Sequence, residues 1–181
     1  MKVVIINYGA GNTQSVRYAF ERLGVTPVLT DDIAEILTAD KVIFPGVGHA
    51  KAAMDILQQK QLDFLIPNLK QPVLGICLGM QLMCKHSEEG NTPCLGIFDE
   101  NVKLFEPKLK VPHTGWNTAN GNWYYFVHSY YVPSNKYTTE TCSYITEFSA
   151  AMQKANFYAV QYHPEKSGKS GEELLQKFIA L

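Results

Sequence analysis

The chain has 181 residues, of which 46% are hydrophobic and 18% are charged, and its formal net charge is −1 at pH 7. This length suits one domain, and the near-zero charge excludes the basic surface that nucleic acids and anionic membranes require. No apolar run approaches the roughly 20 residues that span a bilayer, and the apolar run within residues 1–6 is too short for a signal peptide. We therefore expect a single cytoplasmic domain over residues 1–181, with no nucleic-acid or membrane partner.

The first half of the chain alternates apolar strands with amphipathic helices. The pattern predicts strands and helices in the following order: strand 3–6, helix 13–23, strand 26–29, strand 41–44, a helical region over 50–69, strand 73–76 and a helix that begins at Leu78. Apolar strands that alternate with helices are typical of a mostly parallel central sheet covered by helices on both faces. The predicted fold class is therefore α/β.

The second half has a different character. Residues 124–132 and 141–146 are rich in Tyr, Val and Thr, with turn residues between them, which indicates antiparallel strands that extend or flank the sheet. Residues 170–180 form a predicted closing helix. In such folds the active site lies at the carboxyl ends of the parallel strands, which here end near Phe44, Ile76 and Tyr162.

The motif Gly75-Ile76-Cys77-Leu78-Gly79-Met80-Gln81 follows the apolar run of the fourth predicted strand. A nucleophile flanked by glycines two residues away on each side is typical of the sharp strand-to-helix turn called a nucleophile elbow. The turn exposes the Cys77 sulfur, and the N–H groups at the start of the next helix face it. The alternative is a buried core cysteine. The four cysteines (Cys77, Cys84, Cys94 and Cys142) have no C-x-x-C spacing, which favours a reducing compartment, and we expect Cys84 to pack in the core.

A histidine and a carboxylate follow the last predicted strand, 159–162, in the segment His163-Pro164-Glu165. In an extended segment, residues i and i+2 point to the same side, so we expect Glu165 to contact the His163 ring and fix its tautomer. His163 would then take the thiol proton and later protonate the leaving group. The segment is weak evidence alone, but together with the elbow it predicts a Cys77–His163–Glu165 triad.

The turn Pro45-Gly46-Val47-Gly48 follows the strand at 41–44. Its glycines allow a backbone N–H of Val47 or Gly48 to point into a cleft. Paired with the N–H of Leu78, that group would form an oxyanion hole for a tetrahedral intermediate. The alternative is an ordinary β-turn.

Together these motifs resemble the class I, triad-type glutamine amidotransferases, which have a flavodoxin-like α/β fold. More narrowly, four segments resemble the glutaminase subunits of imidazole glycerol phosphate synthase: Asn7-Tyr8-Gly9-Ala10-Gly11-Asn12, Pro45-Gly46-Val47-Gly48, Pro112-His113-Thr114-Gly115-Trp116-Asn117 and Val127-His128-Ser129-Tyr130. The resemblance implies hydrolysis of L-glutamine through a Cys77 thioester. The five histidines show neither H-x-x-x-H spacing nor a carboxylate cluster typical of a metal site, so we expect no metal, and we expect no cofactor. The resemblance also implies a heterodimer with a (β/α)₈-barrel cyclase subunit that uses the ammonia to make imidazole glycerol phosphate and an aminoimidazole carboxamide ribotide in histidine biosynthesis.

Two further groups of residues are candidates for binding, Gln81 and the loop that contains Asn12 by resemblance and the others from their residue types and positions. The substrate-binding group is Gly46, Gln81, His128, Ser129 and Tyr130. The partner-interface group is Asn12, Trp116 and Lys166, with Trp116 expected in an exposed loop. Some of these residues also have a plainer interpretation. Gln81 can be an ordinary polar residue of a helix, and the residues after Val127 can form the polar edge of a strand. Lys166 can be a solvated surface lysine.

Two departures from the family pattern keep other functions open. Thr114 stands where the family usually has methionine, and the stretch between Trp116 and His128 is shorter than usual. A paralogous amidotransferase that serves another synthase, such as a sugar-aminating enzyme, therefore remains an alternative. A thiol hydrolase outside the amidotransferases and a non-catalytic interaction domain are further alternatives. The loop from Gly9 begins like a dinucleotide fingerprint, but Gln14 occupies the position of its third glycine.

Overall fold

The computed structural model describes residues 1–9 and 11–181; Ala10, part of the Asn7–Asn12 motif, lies outside the described residues. The helices are α1 (Thr13–Arg22), α2 (Ile33–Leu37), α3 (Ala50–Gln59), α4 (Leu62–Leu65), α5 (Leu78–Leu82) and α6 (Gly168–Ile179). The strands are β1 (Val3–Ile6), β2 (Val28–Thr30), β3 (Lys41–Gly46), β4 (Val73–Cys77), β5 (His86–Ser87), β6 (Thr92–Pro93), β7 (Asn101–Leu104), β8 (His113–Ala119), β9 (Asn122–His128), β10 (Tyr130–Tyr131), β11 (Thr138–Ser143), β12 (Glu147–Lys154) and β13 (Phe157–Val160).

The main sheet has the strand order β11-β12-β13-β4-β3-β1-β2. The five strands from β13 to β2 are parallel, while β12 and β11 continue the sheet in antiparallel pairing. Two smaller sheets flank it, the hairpin β8–β9 and the set β10-β7-β5-β6. The predicted α/β class, with a mostly parallel sheet and added antiparallel strands, is confirmed.

Helices cover both faces of the parallel strands, which explains why the central strands β1, β3, β4 and β13 are buried and mostly apolar. On β1, Val3 and Ile5 face the cluster that contains α1 and α6. Val4 and Ile6 face the opposite cluster, which contains α3 and α5. Side chains alternate across a strand, so each face buries its own set, and a fully buried aliphatic or aromatic side chain contributes about 1.5–3 kcal/mol. None of the helices in the described ranges is long and apolar enough to cross a membrane.

Some predicted boundaries were wrong for local physical reasons. The helical region at 50–69 is interrupted because Gln61 adopts a left-handed conformation with φ 59°, so α3, α4 and a short 3₁₀ turn replace one helix. The second strand begins at Val28 rather than at residue 26, because Pro27 has no N–H to donate to the sheet. Cys84 is buried as expected but lies beyond the end of α5 at Leu82.

The region from 113 to 131 also differs from the predictions. Residues 124–132 form two strands, because β9 pairs with β8 whereas β10 pairs with β7. Trp116 was expected in a loop but lies within β8. The hairpin closes through Asn120 and Gly121, both with positive φ, as a tight two-residue turn requires.

Candidate active site

Cys77 is the last residue of β4 and directly precedes α5. Its backbone has φ 53° and ψ −109°, a conformation that non-glycine residues rarely adopt and that strained functional positions use. This is the sharp strand-to-helix turn that the motif predicted. Because α5 has only five residues, it cannot give the Cys77 sulfur the full dipole of a long helix. The turn instead supplies one local donor, the backbone N–H of Leu78.

The two glycines that flank Cys77 allow helix and sheet to approach closely. A Cβ on Gly79 would lie 2.0 Å from the carbonyl oxygen of Phe44 in β3, and one on Gly75 would lie 2.8 Å from the Met83 sulfur. Neither glycine has a positive φ. The glycines are therefore required by contacts between elements, whereas the sequence suggested that the turn itself required them.

His163 and Glu165 form a buried pair at the carboxyl end of the sheet. His163 Nδ1 donates to Glu165 Oε1 at 2.8 Å, and their side chains are only 3% and 2% exposed. Glu165 lies in the 3₁₀ turn Pro164–Lys166, so a turn makes this contact and not the extended segment that was expected. The backbone N–H of His163 donates to Tyr125 O at 2.9 Å, which anchors the segment to β9.

The other ring nitrogen of His163 faces the cysteine. His163 Nε2 is buried and makes no hydrogen bond of standard geometry with the described residues. Burial lowers the pKa of His163, but hydrogen bonding and charge interaction with Cys77 and Glu165 outweigh it and raise that pKa to about 10. These interactions favour the protonated form of the His163 ring, and a loose contact at this nitrogen is usual before substrate binds.

Burial disfavours ionisation of the remaining three cysteines. Burial raises the pKa of Cys94 and of Cys142 to about 12 and raises the pKa of Cys84 well above its usual value. These three side chains remain protonated thiols at neutral pH. Cys77, which lies at the elbow and lines the same cavity as His163, is therefore the candidate reactive sulfur.

The turn after β3 packs directly on the elbow. Gly46 pairs with Cys77 in the sheet register, and a Cβ on Gly46 would lie 2.8 Å from the backbone nitrogen of Gly79. The Tyr8 hydroxyl donates to Pro45 O at 3.0 Å, and Gly48 has φ +100°. The geometry brings the Val47–Gly48 backbone beside Leu78, where the oxyanion donors were expected.

A cavity of about 310 Å³ lies in front of Cys77. Its lining includes most of the residues that the sequence singled out: Val47, Gly48, Cys77, Leu78, Gln81, His128, Ser129, Tyr130, His163 and Lys166. Glu165 and Gly46 do not line the cavity, but Glu165 contacts His163 and Gly46 packs against the elbow. Pro112 and Val127, which belong to two of the quoted family segments, also line the cavity, and so does Glu89, which no motif indicated.

Two of the expected substrate-binding side chains are held by other protein groups. Gln81 Nε2 donates to Tyr130 O and to Gln161 Oε1, both at 2.9 Å, which leaves only its carbonyl oxygen for a ligand. His128 Nδ1 lies 2.7 Å from Tyr130 O, and its Nε2 lies 3.1 Å from His113 Nδ1. Burial is the main reason that the pKa of His128 falls to about 3, so its ring is neutral and fixed in place.

The expected interface residues lie in three separate settings. Asn12 caps α1, with Oδ1 accepting from the backbone N–H of Ser15 at 3.3 Å. Trp116 is 53% exposed on the outer face of β8 and contacts the ring of Tyr125 edge-on. Lys166 lies at the cavity mouth with Nζ 5.9 Å from the same ring, so Trp116 and Lys166 share one aromatic neighbour.

Comparison with known proteins agrees with this geometry. The family model for glutamine amidotransferase class-I matches residues 4–181. The imidazole glycerol phosphate synthase subunit HisH of Bacteroides fragilis is 53% identical, and that of Escherichia coli K12 is 45% identical; each alignment covers 100% of both chains over 196 residues. A solved structure of a glutamine amidotransferase matches with a TM-score of 0.79 at 13% identity, over 99% of this chain and 98% of that one, and this likeness concerns the fold alone.

The relatives are longer than this chain. Their alignments extend over 196 residues, against 181 here, so this chain lacks residues that the relatives carry. The tight turn at Asn120 and Gly121 lies within the stretch where the shortening was expected. With near-complete coverage and 45% identity or more, the chain belongs to the class I glutamine amidotransferases and, within them, to the HisH subunits of imidazole glycerol phosphate synthase.

Proposed function

We propose that this chain, as one amidotransferase domain, hydrolyses L-glutamine to glutamate and ammonia, with Cys77, His163 and Glu165 as its triad. The observation that carries the proposal is the geometry of the site: Glu165 holds the His163 ring at 2.8 Å, and His163 shares a cavity with a cysteine in a strained elbow. A thiolate beside an imidazolium is the activated state of a cysteine nucleophile. The family match supports the same chemistry.

The reaction begins when the Cys77 thiolate attacks the carbon of the substrate side-chain amide. The carbonyl oxygen becomes an oxyanion, which accepts hydrogen bonds from the backbone N–H of Leu78 and from the Val47–Gly48 turn. The intermediate collapses as His163 Nε2 gives its proton to the departing nitrogen, so ammonia leaves and a thioester remains. A water molecule then attacks the thioester and transfers a proton to His163. Glutamate is released and the thiolate–imidazolium pair is restored.

The cavity size and lining support a role for its other residues in binding glutamine. Gln81 offers its remaining carbonyl oxygen, and Ser129 and Tyr130 offer polar groups to the α-amino and carboxylate end of the substrate. Gly46 contributes by keeping the turn against the elbow, and His128 by holding the Tyr130 backbone. These residues explain selection of a small amino-acid amide.

The ammonia acceptor is, in this proposal, a (β/α)₈-barrel cyclase subunit of histidine biosynthesis that forms a heterodimer with this chain in the cytoplasm. The relatives at 45–53% identity are named as subunits of imidazole glycerol phosphate synthase. Ammonia is protonated and diluted in bulk water, so a docked acceptor prevents its loss. Three exposed residues are available for this contact: Asn12, Trp116 and Lys166. The exposed Thr114 lies on the same face of β8 as Trp116.

The test is labelling and replacement of the nucleophile. Cys77→Ala should abolish glutamine hydrolysis while the fold and partner binding persist, and Cys142→Ala provides the matched control. A glutamine-like chloroketone should modify Cys77 in preference to Cys84, Cys94 and Cys142. Hydrolysis at the wild-type rate in Cys77→Ala, or labelling that spares Cys77, would show that the nucleophile is elsewhere. Co-purification from cells would identify the synthase.

A further inference from the structure

We infer that Gln161 is a further catalytic residue, which donates a side-chain N–H to the Cys77 sulfur and stabilises its thiolate. Gln161 follows β13 and is fully buried, and its Nε2 lies 3.8 Å from Cys77 Sγ, within the range for a hydrogen bond to sulfur. The inference rests on the proposed function, because it takes Cys77 as the nucleophile.

The orientation of the Gln161 amide follows from its neighbours. Tyr130 O is a backbone carbonyl and can only accept, so Gln81 must direct its Nε2 toward it at 2.9 Å. The same Nε2 also reaches Gln161 at 2.9 Å, and the Gln161 atom there must be the acceptor Oε1. The Gln161 N–H groups therefore face Cys77, and the opposite amide orientation would place two donors against each other.

Two histidines extend this network to the hairpin β8–β9. His128 Nδ1 must carry a proton to donate to Tyr130 O at 2.7 Å, so its Nε2 accepts from His113 Nδ1 at 3.1 Å. His113 Nε2 in turn accepts from Asn117 Nδ2 at 3.3 Å. Burial lowers the pKa of His113 to about 4 and is the main cause that lowers that of His128 to about 3, so the network keeps one arrangement of protons at physiological pH.

A hydrogen-bond donor next to Cys77 Sγ stabilises the thiolate, which is the reactive form of the cysteine. When the proton moves from Cys77 Sγ to His163 Nε2, the sulfur gains a negative charge in a site that is only 7% exposed. A hydrogen bond to the charged form favours it, and an amide already oriented by other residues needs no rearrangement as the charge forms. His163 thus takes the proton while Gln161 stabilises the charge that remains.

Other ionisable groups lie near Cys77 or line the same cavity, and they stay unchanged in the test. Tyr8 approaches from the end of β1, and burial followed by the Cys77 charge raises its pKa. His128 faces the cavity from β9, while Glu89 and Lys166 lie on its rim. None of them contacts Gln161 Nε2 among the described hydrogen bonds, so a change confined to Gln161 leaves their interactions with Cys77 in place.

The experiment measures alkylation of Cys77 by iodoacetamide as a function of pH, in the folded chain and without glutamine. Gln161→Met keeps the volume and removes the donor, so alkylation at pH values well below the wild-type midpoint should slow about 10-fold, the size expected for a hydrogen bond to a charged group. The pH of half-maximal alkylation should rise by about one unit, while the maximal rate at high pH persists. Gln161→Glu should shift the profile further in the same direction. Gln153→Met, at an exposed position on β12, provides the matched control and should leave the profile unchanged.

A second variant tests the route through Gln81. Gln81→Met removes the donor that orients Gln161, so it should also slow alkylation, and it should have no additional effect in the Gln161→Met background. A purely structural role of Gln161 would lower the melting temperature without moving the pH profile. A wild-type profile in folded Gln161→Met overturns the inference, and if that variant does not fold, a wild-type profile in Gln81→Met overturns it. Hydrolysis that persists in Cys77→Ala would instead refute the proposed function, which distinguishes the two failures.

Discussion

Replacing Gly79 with alanine should separate α5 from β3 and reduce both stability and activity. The new Cβ would lie 2.0 Å from Phe44 O, whereas real Cβ contacts stay beyond 3.0 Å, so helix and strand must move apart by roughly 1 Å. The obstructing atom belongs to the backbone of a central strand and cannot rotate away. Overpacking a core costs typically about 1–3 kcal/mol and occasionally more, and we expect a loss of about 3 kcal/mol in the free energy of unfolding.

The same displacement should reduce the rate of glutamine hydrolysis. The shift moves Leu78 away from the Val47–Gly48 turn, and a misplacement of about 1 Å can lower a rate on the order of 10²-fold. Urea titration would give the stability, and kcat from glutamate release would give the activity. Gly24→Ala is the matched control: its φ is +79° but no described atom lies within 4 Å of the new Cβ, so it should cost about 1–2 kcal/mol by backbone strain alone with kcat unchanged. A Gly79→Ala protein within about 0.5 kcal/mol of wild type would refute the reasoning.

Three further predictions concern proton transfer, pH and docking. His163→Ala should lower kcat by roughly 10²–10⁴-fold and more than Glu165→Gln does, because His163 moves the proton and Glu165 orients it; the reverse order in steady-state kinetics would contradict these roles. Since the folded pKa of His163 is raised to about 10, its contribution to stability is fully present below the unfolded pKa near 6.5 and is lost as pH rises through about 10; urea midpoints measured across this range should fall in wild type and change less in His163→Ala. Trp116→Ala should weaken binding of the synthase subunit by about 2 kcal/mol without changing Cys77 labelling, whereas Thr118→Ala on the same exposed face should bind normally in calorimetry.

Activation by the partner is a separate expectation that the turn at Pro45–Gly48 makes testable. Loss of one oxyanion donor lowers a rate by about 10²–10³-fold, so rotation of one peptide in this turn can hold the free subunit nearly inactive. Adding substrate-loaded synthase should then raise kcat strongly while KM for glutamine changes less. If the free chain hydrolyses glutamine at its maximal kcat and no synthase increases that kcat, this switch does not exist.

The sequence predicted the fold class and the groups at the active site because both depend on local patterns. Apolar runs identified the parallel strands, and glycine spacing identified the turn at Cys77. The role of Gly79 was not predictable, since it depends on the distance between α5 and the carbonyl of Phe44, which are far apart in the chain. Gln161 was missed for the same reason: its contacts with Gln81 and Cys77 form only when β13 pairs with β4. The pairing of β8 with β9 likewise placed Trp116 in a strand, which the surrounding glycine and polar residues did not reveal.

The contrast between Cys77 and the other cysteines also determines how the protein responds to oxidants. Hydrogen peroxide reacts with thiolates and hardly with protonated thiols, and the high pKa values of Cys84, Cys94 and Cys142 keep these side chains protonated. Oxidative damage should therefore begin at the residue that performs the chemistry, as a sulfenic acid on Cys77. With no neighbouring thiolate ready to form a disulfide, that acid would be returned to the thiol only by an external reductant, and bound glutamine should protect the sulfur by occupying the cavity in front of it.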